Sequence, residues 1–230
     1  MSGGKLFVVP TPIGNLGDMT PRALDVLRSV QFVLAEDTRT TGKLLRHFGI
    51  DQPLKSFHQH NEHRFVDGWV EAMTAGAQLA LCSDAGTPGI SDPGYLLVRA
   101  CVASNIAVEC LPGATAFVPA LVTSGLPCDR FYFEGFLPHK KGRQKRLNAL
   151  LEMPCTVVLY ESPHRVVKLL TQLVELDAGE RPIAVSREIS KLHEETLRGT
   201  VSDVLDAFSH RDPRGEYVVV LGEADQNTTL

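Results

Sequence analysis

The first half of the chain alternates short hydrophobic runs with longer amphipathic segments. The runs, which are rich in Val, Leu and Phe, are KLFVVP, FVLAE, QLALC and IAVECL. The intervening polar segments have helical spacing and predict helices from Thr20 and over residues 41–48, 61–75 and 93–103. Strand followed by helix, repeated along a chain, is typical of an α/β domain with a mostly parallel sheet.

The second half alternates in the same way, but its hydrophobic runs contain more aromatic and polar residues. The runs are RFYFEGF, TVVLYES, RPIAVSRE and EYVVVLGE, with the segment TVSDVLDAFS before the last of them, and helices are predicted over residues 142–152 and from Pro163. The segment SGLPCD separates the two halves with Gly and Pro. We therefore predict two domains, residues 1–125 and 126–223, followed by a frayed tail at residues 224–230.

Two of the predicted helices begin with a recognisable pair of residues. Thr20 precedes Pro21, and Ser162 precedes Pro163. Ser and Thr side chains accept hydrogen bonds from the first turn of a helix, and proline suits the first helical position because the N–H it lacks has no partner there. Thr20 and Ser162 are therefore predicted to be N-caps.

Composition and charge narrow the classes of function. A chain of 230 residues with 43% hydrophobic content can bury a sizeable core. A net charge of −4 provides no general attraction for nucleic acid, so a polyanion would have to bind a local basic patch. Residues 140–146 form such a patch, because five of these seven positions are Lys or Arg.

The cysteines and the chain start predict a cellular location. The cysteines are odd in number, widely spaced and set in apolar stretches: Cys82, Cys101, Cys110, Cys128 and Cys155. Since no CxxC or Cys/His pairing is present, we expect reduced core residues and no metal. The residues before Lys5 are too few and too polar for a signal sequence, and no apolar run is long enough to span a membrane. We expect a cytoplasmic protein.

Four loops follow predicted strands at the edge where open parallel sheets bind ligands. They are PTPIGNLGD, EDTRTTGK, SDAGTPGISDPG and PGATAF. Their small residues let the backbone approach a ligand closely, and Asp84 and Asp92 offer carboxylates to hydroxyl groups. This combination indicates a nucleoside-like ligand. No GxGxxG follows a strand and Gly42-Lys43 lacks the rest of a P-loop, which argues against NAD and ATP.

Seven motifs, taken in order, resemble one protein family over nearly the whole chain. They are PTPIGNLGDMTPRAL, AEDTRTTGKLL, SDAGTPGISDPGYLLV, LPGATAF with SGLP, FEGFLP, LYESPHR and REISKLHEE. The chain is similar to the ribosomal RNA small subunit methyltransferase I family of the tetrapyrrole methylase superfamily. The resemblance implies a parallel-sheet N-terminal domain, a mixed-sheet α/β C-terminal domain and S-adenosylmethionine in the cleft between them. It also implies a homodimer that 2'-O-methylates a cytidine of 16S rRNA in the 30S subunit.

The resemblance also implies which residues hold the cofactor, largely through backbone groups. Those positions are Pro12, Asp84, Ala85, Gly86, Thr87, Gly89, Ile90, Ala114, Thr115, Tyr160, Gly215 and Glu216. The tetrapyrrole enzymes usually carry GxGxGD in the first loop, where this chain has PTPIGN and so replaces the carboxylate with Asn15. This departure disfavours a porphyrin precursor as substrate, and we expect Asn15 and Asp18 to face RNA.

Charged residues just after the strands are the candidates for catalysis. A ribose 2'-hydroxyl is a poor nucleophile while protonated, so a base or a cation that stabilises the alkoxide would assist transfer. We expect the base among Asp37, Glu161 and Glu188, with Arg39 or Lys191 steadying phosphate or alkoxide. His164 ranks below these acids, because the dipole in the first turn of a helix disfavours imidazolium.

The basic patch is the candidate RNA surface. We expect Lys140, Lys141, Arg143 and Arg146 to contact phosphates, since they follow FEGFLP beside the inferred cleft. The aromatic residues of RFYFEGF could stack a base, but alternating aromatics in a strand are more often core residues, so we do not assign them to the site.

Three functions remain open from the residues alone. They are an rRNA 2'-O-methyltransferase, a methylase of a corrinoid or porphyrin precursor, and a non-catalytic RNA-binding module with the same fold. The basic patch and Asn15 favour the first over the second. The intact SDAGTPGISDPG loop argues against the third, which would not need a cofactor pocket.

Overall fold

The computed structural model describes residues 3–224, which form two compact units. The first unit ends at Thr115 and the second begins at Ala116. Of the predicted tail, only Ala224 is among the described residues, and 225–230 lie outside them. Each unit is built around one five-stranded sheet.

The first unit has a sheet in which every neighbouring pair of strands is parallel, as the alternation predicts. Its strands are β1 Lys5–Val8, β2 Phe32–Ala35, β3 Leu54–Ser56, β4 Gln78–Cys82 and β5 Ala107–Cys110. Their order in the sheet is β3-β2-β4-β1-β5. Strand β3 was not predicted, because three residues with mixed exposure carry no periodic signal.

The helices of the first unit lie close to their predicted positions. They are α1 Pro21–Ser29, α2 Thr38–His47, α3 Glu62–Thr74 and α4 Tyr95–Ala103. Thr20 is the N-cap of α1, as predicted, since its side chain accepts a hydrogen bond from the Ala23 N–H at 3.2 Å. Two clusters of buried residues form the core, one containing Leu6 and Leu79 and the other Val9 and Leu27.

The second unit has a mixed sheet. Its strands are β6 Phe131–Phe136, β7 Thr156–Glu161, β8 Pro182–Arg187, β9 Glu195–Thr200 and β10 Tyr217–Leu221, and its helices are α5 Phe117–Thr123, α6 Arg143–Leu151, α7 Val166–Glu175 and α8 Val201–Phe208. The order is β6-β7-β10-β8-β9, in which only β6 and β7 pair in parallel. The predicted fold class is confirmed.

Because β10 runs antiparallel to both β7 and β8, its start lies at the same edge of the sheet as their ends. Tyr217, at the start of β10, pairs with Glu161 at the end of β7 and with Arg187 at the end of β8. Strands β7 and β8 therefore end at the same edge of the second unit. The loop after β8 begins at this edge, and the segment before β10 ends there.

The predicted N-cap at Ser162 is wrong. A turn occupies residues 163–165, Arg165 takes the cap position and α7 begins at Val166. The Ser162 hydroxyl accepts a bond from Arg165 Nε at 3.2 Å, while the Ser162 carbonyl accepts from the Val166 N–H. His164 therefore lies in this turn and not in the first turn of the helix.

The expectation of five core cysteines is only partly correct. Cys82, Cys101 and Cys155 are buried, whereas Cys110 and Cys128 are exposed, and all five are free thiols. Burial raises the pKa of the Cys82 thiol to about 12. Over residues 3–224, no helix is long and apolar enough to cross a membrane.

Candidate functional site

Hydrogen bonds join three loops at the carboxyl ends of β1, β4 and β5. Thr11 and Gly86 exchange two backbone bonds, with N···O distances of 2.8 and 2.9 Å. The Thr87 hydroxyl donates to the Ala114 carbonyl at 3.1 Å. The structure thus brings together the loops that carry Pro12, Asp84 to Ile90, and Ala114 with Thr115.

The backbone in these loops requires glycine at specific points. Gly86 and Gly89 have φ values of +77° and +85°, which side chains rarely adopt. A β-carbon at Gly113 would lie 2.5 Å from the Cβ of Pro10, so the first and last of the three loops approach too closely for any side chain there. The glycines that sequence alone associates with a ligand therefore also allow the loops to pack.

The carboxylates of Glu36 and Asp84 connect the ends of β2 and β4. Glu36 Oε2 accepts a hydrogen bond from the Asp84 N–H at 3.2 Å, and Asp84 Oδ1 accepts from the Asp37 N–H at 3.1 Å. Burial is the largest cause that raises the pKa of Glu36, and the Asp84 charge adds to it. Burial likewise raises the pKa of Asp84, with a contribution from Asp37.

The pKa of Asp37 is lowered, whereas those of Glu36 and Asp84 are raised. Its carboxylate accepts the Arg39 N–H at 2.8 Å as the N-cap of α2, and it pairs with the Arg39 guanidinium at 2.6 Å. The hydrogen bond from the Arg39 side chain is the largest cause that lowers the pKa of Asp37 to about 2. Arg39 itself is 86% exposed. An acid with so low a pKa is a poor proton acceptor near neutral pH.

In the second unit, Lys191 lies between two carboxylates. Its Nζ is 2.9 Å from Glu188 Oε1 and 2.7 Å from Glu216 Oε2. The Glu216 N–H also donates to Glu188 Oε1, and Gly215 packs directly against the Glu188 side chain. Burial alone would raise the pKa of Glu188, but bonds from Lys191 and the Glu216 N–H lower it. Glu188 and Ser190 have φ values of 52° and 68°, uncommon for residues other than glycine.

Glu161 and Arg143 form one buried ion cluster. Their side chains are 0% and 4% exposed, and Arg143 Nη2 is 3.1 Å from Glu161 Oε2. Arg165 Nε pairs with the other carboxylate oxygen at 2.8 Å. Because these groups are enclosed and already paired, the structure argues against Glu161 as a base and against phosphate contact by Arg143.

In the basic patch, residues 140–146, three lysines are exposed. Lys140, Lys141 and Lys145 are exposed and form no ion pair within residues 3–224. Arg146 instead pairs with Glu134 at 2.6 Å and donates to the Tyr132 hydroxyl, and the Glu134 hydrogen bond raises its pKa. Lys145 was not assigned to the RNA surface from the sequence, yet its charge is exposed and without an ion-pair partner within residues 3–224, whereas that of Arg146 is paired.

The other predicted site residues have local structural contacts. The Asn15 side chain accepts from the Gly17 N–H at 2.9 Å and caps a 3-10 turn that ends at Asp18. Tyr160 packs against Phe133 and Phe136, with ring centroids 5.2 and 5.5 Å apart. No group of three or more His, Cys, Asp or Glu side chains among residues 3–224 is arranged to hold a metal ion.

Solved structures of two methyltransferases share the fold of this protein. A uroporphyrin-III C-methyltransferase from Thermus thermophilus aligns over 96% of this chain and 94% of its own, with a TM-score of 0.65 and 24% identity. The methyltransferase CobJ aligns over 100% and 98%, with a TM-score of 0.69 and 19% identity. The fold is that of the tetrapyrrole methylases.

Sequence comparison identifies the family. The model of tetrapyrrole (corrin/porphyrin) methylases matches residues 5–205. The ribosomal RNA small subunit methyltransferase I of Synechocystis sp. is 50% identical, covering 96% of this chain and 80% of that protein. The protein of that name from Thermotoga maritima is 44% identical, covering 95% and 98%. The chain belongs to the tetrapyrrole methylase family and, within it, to the ribosomal RNA small subunit methyltransferase I group.

Proposed function

We propose that this protein transfers a methyl group from S-adenosylmethionine to the 2'-hydroxyl of a cytidine in 16S rRNA. The observation that carries the proposal is the joining of three glycine-rich loops at the strand ends of the first unit. The names of relatives at 44 and 50% identity support RNA of the small ribosomal subunit as the substrate.

The residues of the first unit fit the cofactor. The loops around Gly86 and Gly89 present backbone groups, and a β-carbon added at Gly89 would meet nothing within 4 Å, so space is open beside it. The Asp84 carboxylate suits a ribose hydroxyl or the cofactor's ammonium. A solved uroporphyrin-III C-methyltransferase with this fold is complexed with S-adenosylhomocysteine. Bound S-adenosylmethionine supplies an activated methyl group on its sulfonium.

The chain then has to place the acceptor oxygen and assist the loss of its proton. Transfer needs the oxygen in line with the methyl carbon, at roughly 3 to 3.5 Å, with water excluded. Among the strand-end acids, Glu36 and Asp84 have pKa values raised by burial, which is the direction that favours a proton acceptor. Asp37 and Glu188 have lowered pKa values and fit that role less well.

The exposed lysines of the second unit supply the charge for RNA. Lys140, Lys141 and Lys145 have no carboxylate partner within residues 3–224, so a phosphate could approach them without breaking an ion pair. The proposal includes a homodimer, as the resemblance implies, with the 30S subunit as partner, and a location in the cytoplasm.

The test is methyl transfer from radiolabelled S-adenosylmethionine to 30S subunits that lack the modification, with modified subunits as the control. We expect label in 16S rRNA of the unmodified subunits only, at a position that resists alkaline cleavage because its 2'-oxygen is blocked. Label in a corrin or porphyrin precursor, with none in 30S, would instead support a small-molecule methylase. Binding of 30S without transfer would support a non-catalytic module.

A further inference from the structure

We propose that Glu161 is a positioning residue for RNA binding. Its carboxylate holds Arg143 in place and thereby fixes the backbone that carries Lys140 and Lys141. The inference rests on the proposed function, since it assumes that these lysines contact RNA. It assigns Glu161 a role different from proton transfer.

The buried carboxylate joins several elements of the second unit. Glu161, the last residue of β7, accepts from Arg143 at 3.1 Å, from Arg165 at 2.8 Å and from the Ser162 N–H at 2.9 Å. Arg143 Nε also donates to Gln172 Oε1 on α7 at 2.9 Å. The first residue of α6 is therefore fixed by both β7 and α7.

Arg143 also fixes the start of the basic patch. The Arg143 N–H donates to the Lys140 carbonyl, with an N···O distance of 3.3 Å. Between them, Gly142 has φ +87° and its carbonyl accepts from the Arg146 N–H at 2.9 Å. Because the Arg143 side chain is enclosed, it restricts the path of residues 140–142. Lys140 and Lys141 project from this restricted turn into solvent.

The energetics of the cluster favour a geometric role over a stabilising one. One carboxylate faces two guanidinium groups, and the Nη1 atoms of Arg143 and Arg165 have no hydrogen-bond partner within residues 3–224. Replacing a whole buried ion cluster with hydrophobic residues often leaves stability unchanged, whereas removing one partner alone leaves a buried charge unpaired and destabilises the fold. Helix α6 already packs Leu147 and Leu150 into the core. What the ion cluster adds is a defined position for the first turn.

The first experiment compares the conservative variant Glu161→Gln with the wild type. Loss of the charge should release Arg143 and lower the affinity for unmodified 30S subunits by about 5- to 10-fold. The affinity for S-adenosylmethionine should be unchanged. The matched control is Glu195→Gln, since Glu195 also pairs with two arginines, Arg187 at 3.6 Å and Arg211 at 2.6 Å. We expect the control to leave 30S binding unchanged.

The decisive measurement is a double-mutant cycle for 30S binding. If Glu161 acts through the lysines, Glu161→Gln should have little further effect when Lys140 and Lys141 are already Ala. Fully additive losses would overturn the inference. If the Lys140→Ala, Lys141→Ala pair itself binds 30S normally, the RNA surface in the proposed function is wrong. If that pair weakens binding while Glu161→Gln does not, only the positioning role is wrong.

A second variant keeps the test valid if Glu161→Gln fails to fold. Gln172→Leu removes one hydrogen bond from Arg143 but leaves all charges of the cluster in place. We expect a smaller loss of 30S affinity in the same direction, about 2- to 3-fold, again absent when both lysines are Ala. Unchanged affinity in a folded Gln172→Leu protein would count against positioning through Arg143.

Discussion

Glu188 occupies the space that a side chain at Gly215 would need. A β-carbon at residue 215 would lie 2.5 Å from the Cγ, Cδ and Oε1 atoms of Glu188. Gly215 also has φ +80°. The glycine is therefore required both by its backbone conformation and by the carboxylate that pairs with Lys191.

Gly215→Ala should destabilise the protein by about 2–4 kcal/mol, because it combines left-handed strain with displacement of Glu188. Urea unfolding measures the change. The matched control is Gly142→Ala, where φ is +87° but an added β-carbon meets nothing within 4 Å. Gly142→Ala should lower the free energy of unfolding by only about 1 kcal/mol. Equal costs for the two variants would mean that the contact with Glu188 contributes nothing.

Gly113→Ala should weaken cofactor binding by about 10-fold or more, because the added methyl group would contact Pro10 at 2.5 Å and force the loops after β1 and β5 apart. Isothermal titration with S-adenosylmethionine measures the affinity. The control is Gly68→Ala, in α3, where the added carbon meets nothing within 4 Å. The control should bind the cofactor normally and be slightly more stable. Normal affinity in Gly113→Ala would argue against these loops as the cofactor site.

Asp37→Asn should retain methyl transfer to within about tenfold of the wild type, whereas a general base would contribute more than that. The reason is that Arg39 lowers the pKa of Asp37 to about 2. Asn also caps helices well, so Asp37→Ala should lower the free energy of unfolding more than Asp37→Asn does. Single-turnover rates and urea unfolding distinguish the two roles. A loss of transfer far beyond tenfold in Asp37→Asn would restore the carboxylate as a base.

Glu36→Gln should alter the pH dependence of stability. The folded-state pKa of Glu36 is raised, so its contribution to stability is fully present at acid pH and is lost as the pH rises through that pKa. The amide cannot ionise but can still accept the Asp84 N–H. We therefore expect the variant to match the wild type at pH 4 and to be at least as stable at pH 7. Urea midpoints at the two pH values check this, and a variant less stable only at pH 7 would contradict it.

Much of the fold was predictable because local pattern and local chemistry agree with it. The hydrophobic runs predicted four of the five strands of the first sheet, and Thr20 with Pro21 predicted the start of α1. The same rule failed at Ser162, where a turn precedes the helix, the Ser162 hydroxyl accepts a bond from the Arg165 guanidinium, and the helix begins only at Val166. A turn of this kind cannot be inferred from the Ser-Pro pair alone.

The sequence by itself determined the α/β class, the loops after the strands and the family, because periodicity and ordered motifs are local properties. Only the tertiary structure decided which charged side chains are buried and paired, which are exposed, and in which direction their pKa values shift. Arg143 and Lys141 lie two positions apart in one basic run, yet Arg143 is buried against Glu161 and Lys141 is exposed. The pKa values of Glu36 and Asp37, adjacent in the chain, shift in opposite directions. Burial and ion pairing depend on residues distant in sequence, and these interactions set the charge available for chemistry.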